Sequence, residues 1–442
     1  MSQPVEAFRN ALKIPELKSR IIFTLIMLAV YRLGAHVPTP GVDGGALSKA
    51  MGSGGLLSFY DMFSGGAFSN ATVFALGIMP YISASIIIQL LTAVWAPLER
   101  LAKEGAEGQK KITEYTRYGT VGLCVVQSIF VAAYLVKLNS PGLTIVPNPS
   151  LFFYVLCIVS FTTGTAFIMW LGEQISEHGV GNGISLIIFV SIVSRMPTAV
   201  YSLYLQLKND DLTMFEGLML IAVMVLVVAG VILVTTGQRR IPVQYPRQVK
   251  GRRVTSGGRN YLPLRVNQAG VIPIIFASSI LMLPSMVASA VKSPAVEAFF
   301  STWFTYDGLL YNVIYAGLII FFCFFYTAIT FNPVEIAENL KKYGGVVMGV
   351  RPGKATAEYL NRVMTRITLV GAFFLAGVAL LPKFVNSGLN VQDFTVSQFF
   401  GGTSLLILVG VALDTVRQVE QHLIMRNYDG FMKSGRKTPG RR

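Results

Sequence analysis

TGQRRIPVQYPRQVKGRRVTSGGRNYLPLRVNQA, residues 236–269, carries eight Lys/Arg residues and no Asp or Glu. The eight are Arg239, Arg240, Arg247, Lys250, Arg252, Arg253, Arg259 and Arg265. Apolar stretches flank it on both sides. A basic loop between membrane helices stays in the cytoplasm. A loop this long and this one-sided in charge is also a docking surface for something large and anionic. The stretch therefore predicts a membrane protein that receives a macromolecule at its cytoplasmic face.

Composition agrees. The chain has 442 residues, of which 53% are hydrophobic and 13% charged, and its mean hydropathy is +0.57. Soluble domains carry roughly 25% charged residues, so this surface faces lipid. A net charge of +15 is concentrated in a few loops and suits anionic lipid headgroups, nucleic acid or an acidic partner. Cys124, Cys157 and Cys323 all lie in apolar stretches without metal-ligand spacing. They read as small packing residues. The first apolar run, Ile21–Val37, follows Lys18 and Arg20 but is broken by Arg32 and lacks a small-residue cleavage site. It reads as a retained first span.

A helical span needs about 20 mostly apolar residues. Ten are placed, at 20–37, 70–92, 119–138, 151–171, 183–203, 213–235, 270–291, 309–331, 366–382 and 401–421. Loops 93–118, 236–269 and 332–365 hold 5, 8 and 5 Lys/Arg, whereas each loop on the opposite side holds at most 1. Both termini are thus expected in the cytoplasm. Loop 172–182 has no Lys or Arg and decides nothing. The expected fold is an all-α integral membrane protein of two five-span halves, 20–203 and 204–421. A cytoplasmic N-terminus, 1–19, and a basic tail, 422–442, flank them. Five spans per half invert the second half relative to the first, as in many transport proteins.

One apolar segment is too short to cross. GLLSFYDMFSGGAFSN, Gly55–Asn70, contains Asp61 and a Gly65-Gly66 break. It reads either as a segment that re-enters the protein from outside or as a helix lying on the membrane surface. The second span places Ile78 and Ile82 four apart on one face, with Pro80 permitting a bend. The fifth opens GNGISLII, with Ile184 and Ile188 again sharing a face behind two glycines. An apolar collar could block ions by dewetting, although isoleucine at this spacing is more often core or lipid-facing. Gln89 and Thr92 are polar and need partners inside the bundle.

Catalytic chemistry is missing. No phosphate-cradling loop ending in Gly-Lys-Ser/Thr and no His-Glu-x-x-His occurs. His36, His178 and His422 are far apart and lack a nucleophile–base context. Neither metal nor cofactor is expected. Of the charges in or near spans, Arg32 and Asp414 lie close enough to the ends to snorkel or pair, and Arg195 is the third. An ion-coupled transporter needs carboxylates near mid-membrane. With none evident, the energy source is expected in a partner. A small-solute secondary transporter is the competing reading. An intramembrane enzyme is excluded for want of a dyad.

Distinctive blocks run along the chain: MFSGGA and ALGIMPYISASIIIQLL within 59–92, KEGAEGQKKITEYTRYG at 103–119 and WLGEQISEHGVGNGIS at 170–185. They continue with GQRRI (237–241), GRRV (251–254), LPLRVNQAGVIPIIFASS (262–279), FFCFFYTAITFN (321–332), VRPG (350–353) and FGGTSLL (400–406). Together these blocks resemble the SecY family, the central channel subunits of the bacterial protein-translocation machinery.

The resemblance implies a clamshell of two halves hinged between the fifth and sixth spans, around an hourglass pore. It assigns the pore ring to Ile78, Ile82, Ile184, Ile188, Ile275 and Ile407. It assigns a plug to the segment near 56–70, with Leu56, Leu57, Phe59, Met62, Phe63, Gly65 and Gly66, and so favours re-entry. A lateral gate is implied between the second/third and seventh/eighth spans, with Ser83 and Gln89 as candidates for its polar lining. Arg239, Arg240, Arg252, Arg253 and Arg351 correspond to docking residues for the SecA ATPase or the ribosome. The implied function is a passive gated conduit for unfolded secretory polypeptides, releasing membrane segments sideways into the bacterial inner membrane. Implied partners are SecE-like and SecG-like subunits, SecA, the ribosome, signal-sequence-bearing polypeptides and anionic lipids. An accessory insertase and SecD/SecF-like proteins belong to the same circle.

Overall fold

In hydrocarbon a chain must satisfy its own backbone, so long apolar runs become helices. The computed structural model describes residues 14–50, 61–139, 144–209, 211–245, 248–250, 253–255, 259–290, 299, 308–388 and 394–434. A helix stands at each of the ten predicted spans. The first half holds α1 (Pro15–Gly34), a short α2 (Gly44–Ala50), α3 (Met79–Val94), α4 (Ala96–Lys103), α5 (Ala106–Lys137), α6 (Leu151–His178) and α7 (Gly183–Lys208). Next come α8 (Met214–Thr236), the strands β1 (Gln238–Gln244), β2 (Gln248–Lys250), β3 (Arg253–Thr255) and β4 (Arg259–Arg265), then α9 (Ile272–Ala290) and α10 (Leu309–Thr330). The chain ends through α11 (Pro333–Lys342), β5 (Val346–Val347), α12 (Lys354–Gly388), α13 (Phe394–Gly401) and α14 (Thr403–Ser434).

Among the described residues six helical stretches are long and apolar enough to cross a membrane, and the bent pair α3–α4 makes a seventh. The protein is therefore a multi-pass membrane protein. Charges explain why α1 and α14 fall short. Lys18, Arg20 and Arg32 interrupt α1, and Asp414 ends the apolar part of α14.

Local signals set the helix starts. Asn182 accepts from the backbone N–H groups of Ile184 and Ser185, at 3.1 and 3.2 Å. Thr213 and Glu216 form a reciprocal capping box at the start of α8. Proline also shapes the path. The chain turns by 97° between α3 and α4, where extended Trp95 precedes Pro97 in the first turn of α4.

Two expectations need correction. The second span, expected at 70–92, has a helix that begins only at Met79, and residues 71–78 are irregular. Left-handed backbone at Ala71 and Gly77 breaks the helix there. Residues 236–269, expected as a plain loop, contain antiparallel strands. β1 pairs with β4 from Gln238↔Arg265 to Gln244↔Arg259, and β5 adds to the other edge of β1 at Val243↔Val347. Ile241, Val243, Leu264 and Val347 enclose a small core with Phe331, Leu360 and Met364. This sheet is a minor addition to an all-α fold.

Between helices in lipid, close packing replaces the hydrophobic effect as the driving force. Gly183 illustrates it: a Cβ there would overlap the Gly172 carbonyl oxygen, so α6 and α7 cross at backbone contact. Gly122 in α5 has open space around the same position. Gly183→Val is expected to destabilise the protein by about 1–3 kcal/mol through overpacking, seen as a lower unfolding temperature in detergent. Gly122→Ala is expected to leave that temperature unchanged or raise it slightly. Equal behaviour of the two variants would contradict this account of the crossing.

Candidate functional site

The isoleucines singled out above come from four helices. Ile82 lies on α3 with Ile78 at its start, Ile184 and Ile188 on α7, Ile275 on α9 and Ile407 on α14. Ile78, Ile82, Ile188, Ile275 and Ile407 are buried, and Ile184 is half-buried. All six belong to one apolar cluster. The Asn182 cap fixes where α7 begins, which sets the face that carries Ile184 and Ile188. α9 packs against α3 and α5, and α14 packs against α7.

The irregular segment is part of the same core, to which Met62, Phe63, Ala67 and Phe68 belong. Leu56, Leu57 and Phe59 lie outside the described residues. From Asp61 to Phe68 every residue is buried, Met62, Phe63, Gly65 and Gly66 included. One helical turn at 61–64 leads into the Gly65-Gly66 pair, both at positive φ. A Cβ at Gly65 would press on the Ser191 backbone, and one at Gly66 on the Arg195 guanidinium. Glycine is therefore required here by backbone conformation and by space.

Polar groups on α1 and α7 hold this segment. Arg195 forms an ion pair with Asp61, and its Nη2 donates to Ser69 Oγ at 3.0 Å. The other Asp61 oxygen accepts from the Ser69 backbone N–H at 2.7 Å. Arg32 Nη1 donates to the Gly65 carbonyl at 3.2 Å and to Ser194 Oγ at 3.0 Å. Tyr31 and Ser191 are joined hydroxyl to hydroxyl at 2.6 Å. From α14, Ser404 Oγ donates to Met62 Sδ at 2.9 Å.

Sequence reasoning missed this set. It leaves Arg32 either to snorkel or to pair, and the side chain turns inward to the segment. It finds no carboxylate within the bundle, yet Asp61 is buried and paired. The available signal is two arginines in apolar spans beside a short segment with one aspartate.

Ser83 is buried on α3. Gln89 donates to Ser85 Oγ at 3.2 Å and Thr92 to the Ile88 carbonyl at 2.8 Å. The partners expected from the bundle thus come from α3 itself.

At the end of the bundle that carries the basic loops, Arg239 and Arg240 are exposed on β1, and Arg351 is exposed beside Pro352 and Gly353. None of the three is ion-paired among the described residues. Arg253 lies on β3, and Arg252 is outside the described residues. Arg117 and Glu173 pair at 2.9 Å across α5 and α6. A polar cavity of about 220 Å³ lies between α7, α8, α9 and α14, lined by Asn182, Arg265, Asn267, Asp414 and Arg417 among others. Arg417 bonds the Thr235 carbonyl at 2.9 Å and lies 3.9 Å from Asp414. Among the described residues no group of three His, Cys, Asp or Glu could hold a metal ion.

A bundle with this cluster, buried segment and basic end is similar to known proteins over nearly its whole length. A protein translocase subunit SecY of Thermotoga maritima is 45% identical, covering 99% of this chain and 100% of the relative. One of Escherichia coli K12 is 48% identical, covering 95% and 94%. The fold is similar to that in a solved structure titled "The structure of a protein conducting channel", at a TM-score of 0.65 and 16% identity, covering 91% and 92%. Residues 72–416 match the SecY family, and the chain belongs to that family.

Proposed function

We propose that this chain is the protein-conducting subunit of a bacterial Sec translocase, a gated conduit that does no covalent chemistry. The observation that carries the reading is the burial of an irregular segment within the same apolar core to which the six isoleucines, from four helices, belong. Ile78, Ile82, Ile184, Ile188, Ile275 and Ile407 form the ring that keeps the resting pore dry. Segment 56–70 is the plug. Ser83 and Gln89 line the lateral gate, which opens between α3/α5 and α9/α10 when a signal sequence shifts the closed–open equilibrium. The two halves are inverted, and both termini face the cytoplasm.

Partners follow from the same reading. SecE-like and SecG-like subunits brace the halves. SecA or a translating ribosome supplies direction, and anionic lipids contact the basic face. Arg239, Arg240, Arg252, Arg253 and Arg351 dock the motor or the ribosome. The exposure of Arg239, Arg240 and Arg351, none of them ion-paired among the described residues, supports this, because an exposed guanidinium can fork onto phosphate or carboxylate.

The deciding experiment is precursor translocation into proteoliposomes containing this chain and a SecE-like subunit. Protease-protected precursor is expected only with a signal sequence, SecA and ATP. No protection with a folded, correctly oriented complex would overturn the reading in favour of a small-solute transporter. For the ring, Ile82→Gly with Ile188→Gly is expected to raise ion flux through resting channels well above background, read by conductance in planar bilayers. Background flux would remove these residues from the seal. For docking, Arg239→Glu with Arg240→Glu is expected to weaken ribosome binding and to reduce its log–log salt slope by about one for each phosphate that is no longer neutralised. An unchanged slope would place the docking surface elsewhere.

A further inference from the structure

We infer that Arg195 and Arg32 are positioning residues that latch the plug to the first half of the channel, with Asp61 as the bolt. The inference rests on the plug reading above. Arg195 touches both ends of the loop, the Asp61 carboxylate and the Ser69 hydroxyl. Asp61 in turn accepts from the Ser69 N–H. The guanidinium therefore recognises residues 61–69 only while they are folded against each other. Arg32 secures the glycine turn through the Gly65 carbonyl and is itself steadied by Ser194. The Tyr31–Ser191 bond joins α1 to α7, and Tyr31 also reaches the Ser64 carbonyl at 3.4 Å, so the receiving side of the latch is tied together where it meets the segment.

All of these charged anchors sit on α1 and α7, in one half. The described hydrogen bond from α14 is a hydroxyl to a thioether, Ser404 to Met62, a weak acceptor. Parting the halves would break that bond and leave the latch whole. Release of the plug is thus a step separate from opening of the gate, and it requires Asp61 to leave Arg195.

The test is ion flux through the resting, full-length channel reconstituted with its SecE-like partner. Asp61→Asn and Arg195→Gln are each expected to raise flux about tenfold, as a weakened closed state is populated less. The double variant is expected to match either single one, because both remove the same interaction. Unfolding temperature in detergent serves as a control for a merely structural role. A second variant pair, Met62→Cys with Ser404→Cys, tethers the plug by a disulfide. Oxidation is expected to return Asp61→Asn channels to background, and reductant to restore the leak. If the tether suppresses leak from a ring variant but Asp61→Asn and Arg195→Gln stay sealed, the latch is wrong and the plug reading stands. If neither tether nor removal of 56–70 changes flux, the plug reading itself falls, and the latch with it. Multiplicative effects of the two single substitutions would also overturn the latch.

Discussion

Irregular backbone inside a membrane bundle is the constraint on which this structure depends. In hydrocarbon an unbonded N–H or C=O group is costly, and non-helical chain survives only where protein surrounds it. Residues 61–78 are such a stretch, and their needs explain side chains on several helices. Thr165 of α6 donates to the Gly77 carbonyl at 3.3 Å. Arg32 serves Gly65, and Tyr31 reaches the Ser64 carbonyl at 3.4 Å. The end of α1 contributes backbone: Thr39 N–H bonds the Ala71 carbonyl at 2.8 Å, and Val73 N–H bonds the Val37 carbonyl at 2.9 Å. Polar residues that look misplaced in apolar spans are the partners of a segment that cannot satisfy itself.

Legibility in the sequence follows the same division. The spans are readable because lipid imposes length and apolarity locally, and a helix occurs at each predicted place. The basic stretch is readable as charge. Its strands are harder to see, although Ile241 and Val243 alternate with exposed Arg240, Pro242 and Gln244, which is the two-residue period of a half-buried strand. Charge masks that period. The inward turn of Arg32 is one of two outcomes, snorkelling or pairing, that its place near a span end leaves open. Near a span end, snorkelling is the default for arginine, and only the fold shows that Gly65 waits one helix away.

The two ends of the protein handle arginine in opposite ways. At the basic end Arg239, Arg240 and Arg351 are exposed and held on short rigid elements. β1 fixes the first two in register with Leu264 and Pro263. Among the described residues none of the three forms an ion pair, which suits an anionic partner. Within the bundle, half-buried Arg32 and Arg195 are engaged by carbonyl, hydroxyl and carboxylate oxygens. One chemistry therefore suits the proposed docking surface where it is exposed and a structural anchor where it is enclosed.

Exclusion of water also determines how firmly the anchor holds. A buried ion pair adds little net stability, because desolvation offsets most of its attraction, while stranding one partner costs about 3–5 kcal/mol. Asp61 and Arg195 are therefore poor ballast but good switch elements. If the proposed isoleucine ring keeps the interior dry, neither charge can leave alone. Once water enters, both can be hydrated separately, and the attraction between them falls with the rising local dielectric. On the proposed reading the ring and the ion pair thus depend on each other: dryness strengthens the pair, and the paired segment fills the space through which water would come.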